Sequence, residues 1–119
     1  MTDYIVLLLG DTDAWWDTPE EEKKATYDVH GRFTEELERR GHTIVGGAEL
    51  PRASEAKSLA PHSDVVTDGP YTESTEQLGG YYEVSTDDLD DLMDVCKILS
   101  ATGDAVEVHR KITGEEQPT

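Results

Sequence analysis

"VTDGPYTESTEQLGGYY", residues 66–82, is the stretch on which the fold turns. Asp68-Gly69 is a strong turn pair, and Pro70 fixes its own φ while favouring an extended Gly69. Gly79-Gly80 reads as a place where the chain enters the next strand closely against a sheet. The stretch therefore closes one strand, "VVTD", and opens another, "GYYEVS" (80–85). Asp68 has two readings at this point. Its carboxylate can brace the loop by accepting from downstream amides, or the rigid turn can aim it into a cleft.

Working upstream, "EAKSLAPHSDVVTD" reads as a hairpin: a short strand, the turn "APHSD", then "VVTD". "HTIVGGAEL" (42–50) is a strand with a paired-glycine interruption. Before it, Pro19 opens a helix at the position where proline costs nothing, and Glu20, Glu21 and Glu22 suit the first turn's dipole. That helix is predicted to run to about Arg40 and to end at Gly41, with Val29, Phe33 and Leu37 as its apolar stripe. His30 lies about 60° around the helix from Phe33, at the border of the buried face. "DTDAWWDT" (11–18) reads as a loop, and "YIVLLLG" (4–10) as a strand buried on both faces.

Downstream, "STDDLDDLMDVCKILSATG" is a second amphipathic helix, capped by Ser85 or Thr86 and stopped by Gly103. Leu89, Leu92, Met93, Cys96 and Leu99 form its expected stripe. "AVEVHRKI" (105–112) alternates as the last strand, and residues 113–119 read as a flexible tail. The order strand, helix, strand, hairpin, strand, helix, strand is the split β-α-β plan of a ferredoxin-like α+β domain spanning residues 1–112. One sheet face lacks a covering helix, so a homodimer is expected.

The 119 residues carry ten basic and 27 acidic side chains, a formal net charge of -17. That field disfavours nucleic acid and anionic membrane as partners. It equally suits a protein kept soluble in high salt. Cys96 is alone, which excludes an intrachain disulfide and a thiolate metal cage; it reads as a small core residue. "YIVLLLG" is too short for a secretory leader, so the chain is expected in the cytoplasm.

Residues 4–112 resemble the DGPF family within the YCII-related group. The signature near V-T-D-G-P-F-x-E-x-K-E-Q-L-G-G-F/Y is matched by "VTDGPYTESTEQLGGYYEV". The opening strand with Gly10-Asp11, the tryptophan in the first loop, His30-x-x-Phe33, "GGAEL", "DLDDLMDV" and "AVEVHRKI" also fit. The resemblance implies a dimeric α+β barrel with a cleft between sheet and helices, and a site built on a histidine and an aspartate. One branch of the group eliminates chloride from a chlorinated hydroxyquinol, and many DGPF members are encoded beside extracytoplasmic-function sigma factors. Tyr71 stands where the family has Phe, and Thr75 replaces the usual Lys, which removes a cation from that position.

On this reading His30 is the general base and Asp68 its partner, a pairing in which the carboxylate fixes the tautomer and raises basicity. A histidine beside a helix stripe is more often a core-edge residue, and that reading stands beside the catalytic one. Tyr71 and Trp15 are expected to wall the cleft, and Glu73 to approach the ligand. Surface charge is the plainer reading of Glu73 and Glu76. No cofactor is implied: the double glycine lacks the helix and lysine of a phosphate cradle, and His30, His42, His62 and His109 have no chelating spacing. The expected function is small-molecule proton transfer, an elimination or isomerisation. A non-catalytic module binding a metabolite or protein, linked to stress regulation, is the alternative.

Overall fold

The computed structural model describes residues 1–118. Six strands are present: β1 (Thr2–Gly10), β2 (Thr43–Glu49), β3 (Lys57–Leu59), β4 (Val66–Asp68), β5 (Gln77–Thr86) and β6 (Ala105–Arg110). Three helices accompany them: α1 (Thr12–Asp17), α2 (Glu20–Arg39) and α3 (Leu89–Ser100). The main sheet has the order β2-β5-β1-β6 with every pair antiparallel. Omitting the β3–β4 hairpin, this is the ferredoxin-like arrangement: α2 carries the chain from β1 past β5 to β2, and α3 carries it from β5 past β1 to β6.

The core lies between the helices and one face of the sheet. Tyr4, Val6 and Leu8 alternate inward from β1 and meet Phe33 and Leu37 of α2, Val84 of β5, and Leu92, Val95, Cys96 and Leu99 of α3. Each large aliphatic or aromatic side chain buried there contributes about 1.5–3 kcal/mol. The α3 stripe differs from expectation, because Leu89 and Met93 sit on the exposed shoulder and Val95 takes the inner position. The predicted cap also moves. Asp88 caps α3 by accepting from the Asp91 N–H at 3.0 Å. Thr86 is buried in β5 instead, with its hydroxyl 2.6 Å from His42 Nδ1, while His42 Nε2 meets Asp91 at 2.7 Å. A buried imidazole thus ties together the end of α2, the end of β5 and the first turn of α3.

"DTDAWWDT" is a helix rather than a loop. Asp11 caps α1 by accepting from the Ala14 N–H at 3.0 Å, and Pro19 separates this short helix from α2. At the other end, Arg110 meets Glu116 beside a 3₁₀ turn at Gly114–Glu116; the predicted tail runs on to Thr119, outside the described residues. No described helix is long and apolar enough to cross a membrane.

Among the described residues β3 and β4 pair only with each other, and they form an arm. The radius of gyration is 16.1 Å, against about 13–14 Å for a compact domain of this length. At the arm's base Gly69 has φ +97°, a conformation only glycine adopts easily, and not the extended one that Pro70 suggested. Its N–H donates to Ala56 O at 2.7 Å and its carbonyl accepts from Ser58 Oγ at 2.6 Å. The opening stretch therefore bends the chain out of an arm and back to the sheet.

Candidate functional site

A cavity of about 360 Å³ opens between α1, α2 and the sheet, within the range of small-molecule pockets. Its floor comes from Leu8, Gly79, Gly80 and Tyr82, its aromatic wall from Trp15, Trp16 and Tyr27, and its polar groups from His30, Glu49 and Asp104. The glycines create this space. Gly79 is the bulge residue between the β1 pairings of Leu78 and Gly80, and a Cβ on Gly80 would lie 3.0 Å from Ala48 O.

Tyr82 faces the helices from β5, stacked near His30 with centroids 5.9 Å apart and tilted on Phe33 at 5.1 Å. Its hydroxyl and His30 Nδ1 share a hydrogen bond of 2.7 Å. His30 Nε2 has no protein partner among the described residues and is not sealed from solvent. Burial holds this imidazole below its ordinary value, and the carboxylates of Asp104 and Glu49 pull it partway back. The ring is therefore neutral near pH 7 and able to take a proton.

Asp104 follows the end of α3 and lies directly over Gly10 at the end of β1. A Cβ on Gly10 would overlap the Asp104 carboxylate and lie 3.1 Å from its Cγ. Burial raises the carboxyl of Asp104, and the nearby His30 opposes that shift. Glu49 accepts from Trp15 Nε1 at 3.1 Å and from the Tyr27 hydroxyl at 2.9 Å, which fixes both rings along the cavity wall. Burial raises Tyr82, and the charge of Glu49 adds to the effect. Trp16 contributes a buried indole N–H with no partner among the described residues.

The residues expected from sequence divide between the cavity and the arm. His30 and Trp15 line the cavity. Asp68 does not: it sits at the end of β4, its side chain 81% exposed and ion-paired with Lys57. Tyr71 and Glu73 are exposed on the segment after the arm and outside the lining. Within one chain the anticipated His30–Asp68 pair is therefore not formed, because the turn that rigidifies Asp68 belongs to an arm that leaves the sheet. The partner found instead is Tyr82. Neither Tyr82 nor Glu49 nor Asp104 stands out in the sequence as a site residue. The one available signal for Asp104 was Gly10, a glycine at a strand end with no turn to require it. Among the described residues no three ligating side chains gather where a metal ion could sit.

The model of the YCII-related domain family matches residues 4–113. No curated protein matches the chain.

Proposed function

The chain belongs to the YCII-related family, and from that premise we propose that its cavity is the site of a small-molecule acid/base reaction in which His30 takes the proton. The observation that carries this is the 2.7 Å bond between His30 Nδ1 and the Tyr82 hydroxyl beside an unpartnered Nε2. When Nδ1–H donates to Tyr82, the lone pair of Nε2 is free to accept a proton from a bound ligand. The imidazolium so formed is stabilised by Asp104 and Glu49, whose charges both favour protonated His30. Burial raises the carboxyl of Asp104, which makes it a candidate to relay a proton at a second position. Elimination or isomerisation following proton abstraction is the reaction class this set of groups suits.

The same reading pairs two copies. Ile5, Leu7 and Leu9 alternate onto the helix-free face of β1, with exposed Leu78 beside them on β5. The arm adds exposed Leu59, Val65 and Val66. Apolar surface spread over both features supports a homodimer, working in the cytoplasm as the sequence suggested.

A binding module without catalysis is the second reading, and the position of Asp68 on the arm favours it. The test is solvent-deuterium incorporation into a panel of small carbon acids by the wild type and by His30→Gln. A general base predicts exchange that falls by about 10²–10⁴ in the variant. Exchange equal in both proteins, or none on any compound that binds, selects the binding module.

A further inference from the structure

The cavity contains more than one carboxylate and lacks their counter-ions. Among its lining residues are Asp11, Glu49 and Asp104 but no lysine or arginine. Asp11 is engaged in capping α1. Glu49 accepts three hydrogen-bond contacts from Trp15 and Tyr27 that leave its charge in place and lone-pair sites open. Two basic side chains outside the lining are engaged with residues of α1. Arg52 pairs with Asp13 and Asp17. Lys23 donates to Trp16 O at 3.3 Å, with its ammonium 4.7 Å from the Trp16 ring centroid and 5.6 Å from that of Trp15.

We propose that this cavity recognises a protonated amine, with Glu49 as its counter-ion, Trp15 and Tyr27 as its aromatic wall, and Asp104 as a second carboxylate near His30. The proposal rests on the reading of the cavity as a ligand site and adds the charge class of the ligand. An anionic ligand would enter between carboxylates with no cation to receive it, in a chain of net charge -17. An ammonium meets the exposed carboxylate of Glu49 beside an indole and a phenol face, where cation–π attraction adds to the ion pair. The tryptophan pair already holds one ammonium, that of Lys23, from outside the lining. Neutral His30 adjoins the site without competing for the negative charge.

The experiment uses the full chain and three probes of one shape: benzylamine, benzyl alcohol and benzoate. Affinities come from calorimetry, and location from the shifts of the Trp15 indole and His30 ring resonances. Benzylamine is expected to bind at least tenfold tighter than benzyl alcohol, with benzoate weakest, and to shift both residues. Glu49→Gln keeps an oxygen for Trp15 and Tyr27 and is expected to abolish the benzylamine advantage while benzyl alcohol is unchanged. Benzoate binding as well as benzylamine overturns the proposal, as does a benzylamine advantage that survives in Glu49→Gln with Asp104→Asn. If benzyl alcohol or benzoate shifts Trp15 and His30 while benzylamine does not, the amine class is wrong and the cavity remains a ligand site. If no probe shifts either residue, the cavity reading falls with it.

Discussion

Gly10→Ala tests whether Asp104 is held in the cavity by the absence of a side chain beneath it. The three atoms nearest a Cβ at this position all belong to Asp104, with Cγ at 3.1 Å and a carboxylate oxygen overlapping. Comfortable separation is about 3.5–4.0 Å, so the carboxylate must withdraw by about 1 Å or more. Gly10 is not in the left-handed region, so the effect is one of space and not of backbone strain. The displaced atoms are the end of a half-buried side chain, so the contact costs about 1 kcal/mol, the low end for overpacking, offset by about 0.4–1 kcal/mol from the stiffer unfolded chain. The two nearly cancel, and the net change stays within about 1 kcal/mol, read by chemical denaturation or as a Tm shift of about 3–6 °C per kcal/mol for a domain this size. In an Asp104→Ala background the same substitution meets none of those atoms, so it becomes neutral or stabilising. The double-mutant cycle should therefore show a coupling of about 0.5–1 kcal/mol. As Asp104 moves away, the support its charge gives to protonated His30 weakens, and His30 titrates lower still. Additivity within about 0.5 kcal/mol, with His30 unmoved, would refute the reasoning.

Three further expectations concern the rest of the domain. Thr86→Val leaves His42 Nδ1 buried without its 2.6 Å partner, and denaturation should show a loss of about 1–3 kcal/mol; a change below about 0.5 kcal/mol contradicts a structural role for this imidazole. Because burial lowers the folded-state value of His30 below 6.5, the unfolded chain takes the proton first as pH falls. The contribution of His30 to stability is complete above 6.5 and is lost as pH falls from there to the depressed folded value, so His30→Gln should show a shallower decline than wild type over that window, and equal slopes would count against a buried neutral ring. Burial pushes the Cys96 thiol up to about 11, so an aromatic disulfide reagent should modify it only after unfolding, and rapid labelling of the native chain would disprove its place in the core.

Most of the fold was legible because its signals are local. The stripe of Phe33 and Leu37, the cap at Gly41 and the alternation of β6 each sit within a few residues of chain. The exceptions have local causes too. α1 has only six residues, too few to show a helical stripe, and its cap, Asp11 accepting from the Ala14 N–H, is visible only once the chain is folded. Leu89 and Met93 are as apolar as Leu92, and only packing against the sheet decides which of them is covered.

Of the residues singled out in the sequence, His30 and Trp15 line the cavity, and Asp68, Tyr71 and Glu73 do not. Tyr82, Glu49 and Asp104 arrive from three separate elements, and their convergence depends on sheet register, which pairs β2 and β1 with β5 across dozens of residues. Asp68 illustrates the opposite hazard. Asp-Gly-Pro chemistry is strong enough to mark a rigid position, but rigidity in an arm and rigidity in a cleft look alike in one dimension.

The proposed chemistry depends most on a neutral His30 ring whose tautomer is set by Tyr82. Nitrogen-15 spectra of the histidine rings, followed through a pH titration in wild type and Tyr82→Phe, address this directly. The prediction is a His30 that titrates below 6.5 and holds one dominant tautomer in wild type, with tautomer mixing in the variant. A His30 that titrates above 6.5, or whose tautomer is indifferent to the loss of the Tyr82 hydroxyl, would contradict it.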